Sequence, residues 1–328
     1  MSNLQDKQNQ LYQLLILLKP GERCLITEVN RRLKLNGNQL TQLLDFSALQ
    51  SRDDLFLDQG YVCRMSESSN LLDTHAVGQH HRNMSIEMSY LPSCPSTIDV
   101  AKSVDRSPML VIAESQSKSR GQNSKHWFAP MCGNIYATYA LEYKNVSQMP
   151  LHFYTVAATY SLFRYVRDLI GDNHIMIKWP NDIMVNQKKI AGILVESESI
   201  SRHMTRVFLS IGLNVNMNSD RGNEIDQPWT SCFLQSKRRY STTDVINRLS
   251  TILFGDIKSC ESMHNRQHMI DVYNANAMYL NQTIAIVSNH KTSTGLFKGL
   301  DCHGVAQLDT GLGYQSIYGG HINRPVES

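Results

Sequence analysis

Apolar side chains recur at two spacings along this chain, and the change from one to the other divides it. From Leu11 to Lys19 they follow a helical stripe that Pro20-Gly21 stops. Thr27 is placed to cap a second helix through Leu35, with Val29 and Leu33 inward, and Asn36-Gly37-Asn38 turns the chain into a third, Gln39 to Leu49. A short strand pair between Leu55 and Met65 bends at Asp58-Gln59-Gly60. Ser66 to Asn83 is polar, with His75, His80 and His81 close together, and is expected to be a solvated linker. Beyond it the pattern favours strands: Met88 to Leu91, a buried run Met109 to Ala113, and Asn134 to Tyr143, whose alternation predicts a half-buried strand. Val156, Tyr160, Phe163, Val166 and Ile170 then return to helical spacing, one face covering a sheet, and Gly171 ends that helix. Asp182 to Val185 is expected to pair with Lys189 to Val195 across Asn186-Gln187, followed by a strand from Arg206 to Asn214. Asp244 to Tyr279 is helical, with Val245, Leu249, Ile252 and Leu253 inward. Short strands at Thr283 to Val287, Gly295 to Leu300, Val305 to Leu308 and Tyr314 to Tyr318 predict a small barrel.

The first three helices and the strand pair outline a winged helix-turn-helix. That fold puts the helix after the turn into a DNA major groove. Here the helix has no Lys or Arg between Leu35 and Ser51 and carries Asp45, which leaves Gln39 and Gln42 as its candidates for base contact. Residues 1 to 65 hold eight basic side chains against seven acidic ones, and phosphate contacts supply much of DNA affinity. Operator binding and a domain that only packs therefore both stay open. The whole chain, 328 residues with a formal charge of +3, is long enough for two or three domains, and any nucleic-acid contact must be local. No run of about 18 apolar residues indicates a membrane span, and the polar start is unlike a signal peptide, so a cytoplasmic protein is expected. Seven cysteines without a C-x-x-C pair argue for reduced thiols rather than disulfides or zinc.

Candidate chemistry gathers at a few places. Lys178-Trp179-Pro180-Asn181-Asp182 sets a lysine, an amide and a carboxylate on a corner between strands that Pro180 stiffens. A plain turn, with Trp179 in the core and Lys178 in solvent, is the bland alternative. Ser96 and Thr97 can cap the helix that Asp99 to Val104 begins, or offer hydroxyls to a small polar head group. The loop from Glu114 to Trp127 leaves a core strand carrying Lys118, Arg120 and Lys125; it can wrap a phosphate or carboxylate, or be an ordinary surface loop. Gly192 and Gly212, on neighbouring strands, suggest a slot for something flat.

The Glu114 to Trp127 loop, Lys178 to Asp182, Lys189-Ile190-Ala191-Gly192-Ile193-Leu194-Val195-Glu196 and Gly212-Leu213-Asn214 occur in an order that resembles the biotin protein ligases. The resemblance is to the bifunctional bacterial type, whose winged helix represses its biotin operon. It implies an α/β (α+β) chain: winged helix 1–66, linker 67–82, a class II-synthetase-like mixed-sheet catalytic domain 83–280, and an SH3-like β-barrel 281–328. It further implies that biotin and ATP, with Mg²⁺, give biotinyl-5′-adenylate and pyrophosphate. A lysine of the biotin carboxyl carrier domain of acetyl-CoA carboxylase then attacks the adenylate. Carried over, Lys178 bridges carboxylate and α-phosphate and Arg120 holds the phosphate. Ser96, Thr97 and Gln116 bond biotin, and Gly192 and Gly212 let its bicycle lie close. Trp127, Asn181, Asn214 and Trp229 serve the ATP side, Trp229 by stacking on adenine. A ligand-dependent homodimer is also implied.

Two departures stand out. The family run G-R-G-R-x-G-R-x-W is here Ser119 to Trp127, with Gln122 at the second arginine and Ser124 at a later glycine, so the adenylate is expected to be held less tightly. The usual S-T-N is Ser96-Thr97-Ile98. A lipoate-protein ligase, and a biotin-sensing repressor without ligase activity, are the alternatives; the presence of Lys178 and Arg120 speaks against the second.

Overall fold

The computed structural model describes residues 2–18, 22–36, 38–49, 55–59, 61–64, 71–121, 126–131, 133–144, 149–171, 174–219, 225–288 and 291–325. Contacts gather the chain into two compact units: Met1–Thr138 with Gly212–Asp226 and Ser231–Ile246, and Tyr139–Ile211 with Gln227–Thr230 and Asn247–Ser328.

The first unit begins with α1 (Ser2–Leu17), β1 (Arg23–Leu25), α2 (Ile26–Leu33), α3 (Gln39–Leu49), β2 (Leu55–Asp58) and β3 (Tyr61–Arg64). Leu11, Leu14, Leu15 and Leu18, one helical face, are buried with Val29, Leu35, Leu40, Leu43, Phe46, Leu55 and Val62. The strands form an antiparallel sheet of order β1-β3-β2; β1 was not visible in the sequence pattern. Thr27 is not the cap expected of it. The second helix starts at Ile26, straight out of β1, with Leu25 at the cap position and no side-chain cap bond, so Thr27 lies inside the helix. Gln39 and Gln42 are exposed on α3, but Gln39 Oε1 accepts the Asn36 N–H at 2.7 Å and is turned back onto its own turn.

The solvated linker is also corrected. Residues 65–70 lie outside the described residues, but Thr74–Asn83 is a helix, α4, whose first turn is capped by Asp73 Oδ1 accepting from the His75 and Ala76 amides at 3.0 Å. Val77, Gly78 and His81 are buried, because the polar stretch is amphipathic at helical spacing. Next come β4 (Glu87–Leu91), α5 (Thr97–Ser103), β5 (Met109–Ala113) and β6 (Ile135–Lys144); β4 and β5 run parallel, and β5 is buried throughout. Alternation in β6 mispredicts its burial: Ile135 through Leu141 are buried without a break, as in a strand covered on both faces.

In the second unit α6 (Leu151–Ile170) is buried on most sides rather than on one face, and Gly171 ends it at φ 81°. β7 (Ile175–Lys178), β8 (Asp182–Val185) and β9 (Lys188–Ser201) form an antiparallel meander, and β9 leads into β10 (Met204–Leu213). Asn186 and Gln187 at φ 49° and 62° make the tight two-residue turn expected there. These strands belong to a mixed seven-stranded sheet, order β4-β5-β6-β10-β9-β8-β7. After α7 (Cys232–Ser236), the expected helix Asp244 to Tyr279 is two, α8 (Thr242–Ser259) and α9 (Met263–Ala275). The chain closes with β11 (Thr283–Ser288), β12 (Lys291–Leu300), β13 (Ala306–Asp309), β14 (Tyr314–Ile317) and β15 (His321–Pro325), an antiparallel sheet of order β14-β13-β12-β11-β15.

Candidate active site

In the first unit the segment after β4 and the loop after β5 run side by side. Cys94 N–H donates to Ser115 O at 3.2 Å, Ser117 N–H to Cys94 O at 3.0 Å and Lys118 N–H to Pro95 O at 2.8 Å. This ladder brings Gln116 onto the start of α5, where its Oε1 accepts from Thr97 N at 2.7 Å and Thr97 Oγ1 at 3.1 Å. Thr138 Oγ1 donates to Thr97 Oγ1 at 2.9 Å. Ser96 sits at the cap position but its side chain makes no cap bond, because the Gln116 carbonyl already satisfies the first amide. Ser96 and Thr97 are buried, at 2% and 3% exposure. With Oε1 committed, the Nε2 donors of Gln116 have no hydrogen bond among the described residues and suit an acceptor on a ligand.

Farther along the loop, Ser119 Oγ donates to Trp127 O, and Arg120 and His126 face each other in an isolated bridge. The Arg120 guanidinium is paired with Asp99 of α5. Residues 122–125, with the departures at Gln122 and Ser124, lie outside the described residues. The Trp127 indole lies on Gly212: a Cβ there would be 2.7 Å from Trp127 Cε2. Asn214 is buried, and its carbonyl accepts Cys232 N–H at 3.0 Å.

In the second unit the Lys178 to Asp182 corner is pinned from two sides. Tyr273 O–H donates to Pro180 O at 3.0 Å, and burial, aided by the Asp182 charge, pushes that phenol well above its ordinary value. Asn181 Nδ2 donates to Ile193 O, and Ile193 N–H to Asn181 O at 3.2 Å. Trp179 is buried at 5% exposure, the core plug of the bland alternative, but Lys178 is half-buried rather than solvated.

Lys178 pairs with Asp182, and Asp182 with Gly192, so the three share one face of the meander. Lys189 joins them: its Nζ is 2.7 Å from Asp182 Oδ1, with the two side chains 16% and 22% exposed. A Cβ on Gly192 would be 3.2 Å from both Asp182 Oδ1 and Lys189 Cε. The same lysine's backbone seats Trp229, through Lys189 N–H to Pro228 O and Thr230 N–H to Lys189 O, both 2.9 Å.

Both glycines of the expected slot have side chains lying against them. Trp127 occupies the space at Gly212, and the Lys189–Asp182 pair that at Gly192. Lys189 and Asp182 both lie in the motif runs, but nothing in their spacing along the chain marks them as partners. Two lysines and one aspartate on a single face leave an excess of one positive charge, which favours an anion. Ser96, Thr97, Gln116, Arg120, Trp127, Gly212 and Asn214 fall in the first unit, and Lys178, Asn181, Gly192 and Trp229 in the second.

Comparison with known proteins points the same way. The model of the biotin/lipoate A/B protein ligase family matches residues 90–216. The bifunctional ligase/repressor BirA of Salmonella typhimurium is 22% identical over 278 residues, 82% of this chain and 83% of that one. BirA of Bacillus spizizenii is 26% identical over 260 residues, 76% of each. Among solved structures, the biotin protein ligase from Aquifex aeolicus in complex with biotin and ATP shares the fold at TM-score 0.62 and 21% identity, covering 73% of this chain and 99% of that one. These matches make the chain similar to the biotin/lipoate A/B protein ligase family over residues 90–216, and to the bifunctional ligase/repressor BirA proteins over most of its length.

Proposed function

We propose that this ligase couples biotin to ATP and then to a lysine of the biotin carboxyl carrier domain of acetyl-CoA carboxylase. The observation that carries the reading is the shared face of Lys178, Asp182, Gly192 and Lys189, with Trp229 seated on the Lys189 backbone. A biotin carboxylate oxygen attacks the α-phosphorus of ATP, the bond to the β-phosphate oxygen breaks, and pyrophosphate leaves. The lysine amine of the acceptor then attacks the carbonyl carbon of biotinyl-5′-adenylate, loses a proton and expels AMP.

The first step brings two anions together, so its main requirement is positive charge fixed in advance. Lys178 and Lys189 supply it, and Lys189 exchanges Asp182 for the incoming anion. Arg120 serves the phosphate, Gln116 Nε2 and the Ser96 and Thr97 hydroxyls serve biotin, and Trp127, Asn181, Asn214 and Trp229 line the ATP side. Mg²⁺ bound with the triphosphate would neutralise part of its charge. No group of three His, Cys, Asp or Glu that could hold a metal ion occurs among the described residues.

The scheme 1–66, 67–82, 83–280 and 281–328, with a C-terminal SH3-like barrel, a ligand-dependent homodimer and a cytoplasmic location, belongs to the same proposal. No helix of the described residues is long and apolar enough to cross a membrane. An operator-binding role for residues 1–66 is supported by the helix order and by exposed Gln39 and Gln42; the repressor names of the BirA relatives agree with it.

The test is ATP–pyrophosphate exchange with biotin, lipoate or octanoate, on the wild type and on Lys178→Ala and Lys189→Ala. Exchange that requires biotin and collapses in the variants supports the reading. Exchange with lipoate alone assigns the chain to the lipoate branch, and none with any acid leaves a biotin sensor.

A further inference from the structure

The loop between β5 and β6 carries Gln116, Arg120 and Trp127, and both of its ends reach the first helix of the chain. At its root, Glu114 is 1% exposed, and its Oε1 accepts from Leu72 N at 2.9 Å and from Tyr90 O–H at 3.0 Å. Tyr90 O–H is already the donor to that carboxylate, so in its hydrogen bond with Tyr12 of α1 the Tyr12 hydroxyl is the donor. The two rings lie 6.0 Å apart. At the exit, Met131 is fully buried and belongs to the cluster of Leu11, Leu14, Leu15 and Leu18 on α1. A third strut joins Ser93 Oγ to Gln8 Oε1 at 2.6 Å, both buried, one residue before Cys94, the ladder partner of Ser115 and Ser117. Root and exit are tied to each other by Gln116 N–H donating to Ala129 O at 3.0 Å.

We infer that α1 positions the ligand loop, with Tyr12 and Met131 as positioning residues that act through Glu114 and through the loop exit. A carboxylate this deeply buried stays only where each of its bonds is kept, so the Tyr12–Tyr90–Glu114 chain holds Gln116, two residues on, in one place. Coupling of this kind is reciprocal: whatever shifts α1 changes how firmly the loop holds its ligand, and a bound ligand stiffens α1.

The experiment uses the full chain with Tyr12→Phe, which keeps the ring and removes the hydroxyl, and with Met131→Ala beside Met131→Leu. Hydrogen exchange is followed at Gln116, Ser117 and Lys118, whose amide partners are known, with Ile190 to Glu196 of β9 as the internal reference. Tyr12→Phe is expected to speed exchange at the three loop amides on the order of five-fold, the factor one net hydrogen bond is worth. The β9 amides should not change, and Met131→Leu should restore what Met131→Ala loses. Exchange unchanged in both Tyr12→Phe and Met131→Ala, or raised equally in β9, overturns the inference. Biotin dissociation, which rests on the proposed function, is expected to accelerate by a similar factor in Tyr12→Phe. A wild type that does not bind biotin sinks that function, while the exchange rates still decide the loop anchor.

Discussion

Replacing Lys189 by alanine separates its two jobs. Lys189 and Asp182 are 16% and 22% exposed, between a solvent-exposed pair and a fully buried one. Exposed pairs contribute up to about 1 kcal/mol and breaking a buried pair costs about 3–5 kcal/mol, so leaving Asp182 alone should cost about 2 kcal/mol of stability. In a unit of this size that lowers the melting temperature by roughly 4–8 °C. The chemical cost should be larger: losing one preorganised donor to developing negative charge lowers turnover by about 10²–10³-fold. The assay is biotin-dependent pyrophosphate exchange at saturating ATP, run beside thermal melts of Lys189→Ala, Asp182→Ala and the double variant. The double variant should regain most of the lost stability, because the carboxylate that lost the Lys189 ammonium is removed with it, and none of the lost activity. Exchange by Lys189→Ala within three-fold of wild type, or recovery of activity in the double variant, would refute the reasoning.

Gly212→Ala should push Trp127 off the strand, since its Cβ would be 2.7 Å from Cε2; a shifted tryptophan emission and a loss of about 1–3 kcal/mol in chemical denaturation are expected. An alanine accepted with unchanged emission would mean that the glycine is not there for the indole. Burial pushes the Cys94, Cys232 and Cys260 thiols up from 9.0 to about 12. A raised folded-state value means that stability is intact below pH 9 and falls as pH rises from 9 towards 12, by about 1.4 kcal/mol per pH unit for each thiol. Cys232→Ala should flatten that slope by about one thiol's share in pH-dependent melts, and an equal slope in the variant contradicts it. Gln122→Arg should slow dissociation of biotinyl-adenylate by restoring a guanidinium to the phosphate loop. Release from the variant as fast as from wild type removes the reason given for weak retention.

Local chemistry made much of the fold legible. Leu11, Leu14, Leu15 and Leu18 mark a helix face wherever they occur, Asn186-Gln187 between apolar runs marks a hairpin, and Gly171 past the last periodic position marks a helix end. Misses arose where burial depends on what lies on the far side. β6 alternates in sequence yet is buried on both faces, and α6 is covered on most sides. Polar Thr74 to Asn83 reads as linker until His81 and Val77 are seen to share a buried helix face. Thr27 failed as a cap because β1, recognisable only through its pairing with β3, starts the second helix earlier.

The sequence by itself determined most of the strands and helices, the Lys178 to Asp182 corner, the loop after β5 and the likeness to biotin protein ligases, because these rest on residue types and short spacings. Tertiary structure decided which lysine meets the aspartate. Counting alternately back from Gly192, Lys189 falls on the opposite face of β9, three residues away. An irregularity between Ile183 and Met184 shifts the register, so that Asp182 faces Gly192 but Met184 faces Lys189. The extra residue in β9 turns Lys189 onto the face of Asp182, Gly192 and Lys178, where its ammonium closes on the carboxylate at 2.7 Å. A bulge is a property of two paired strands, and no spacing within one of them announces it.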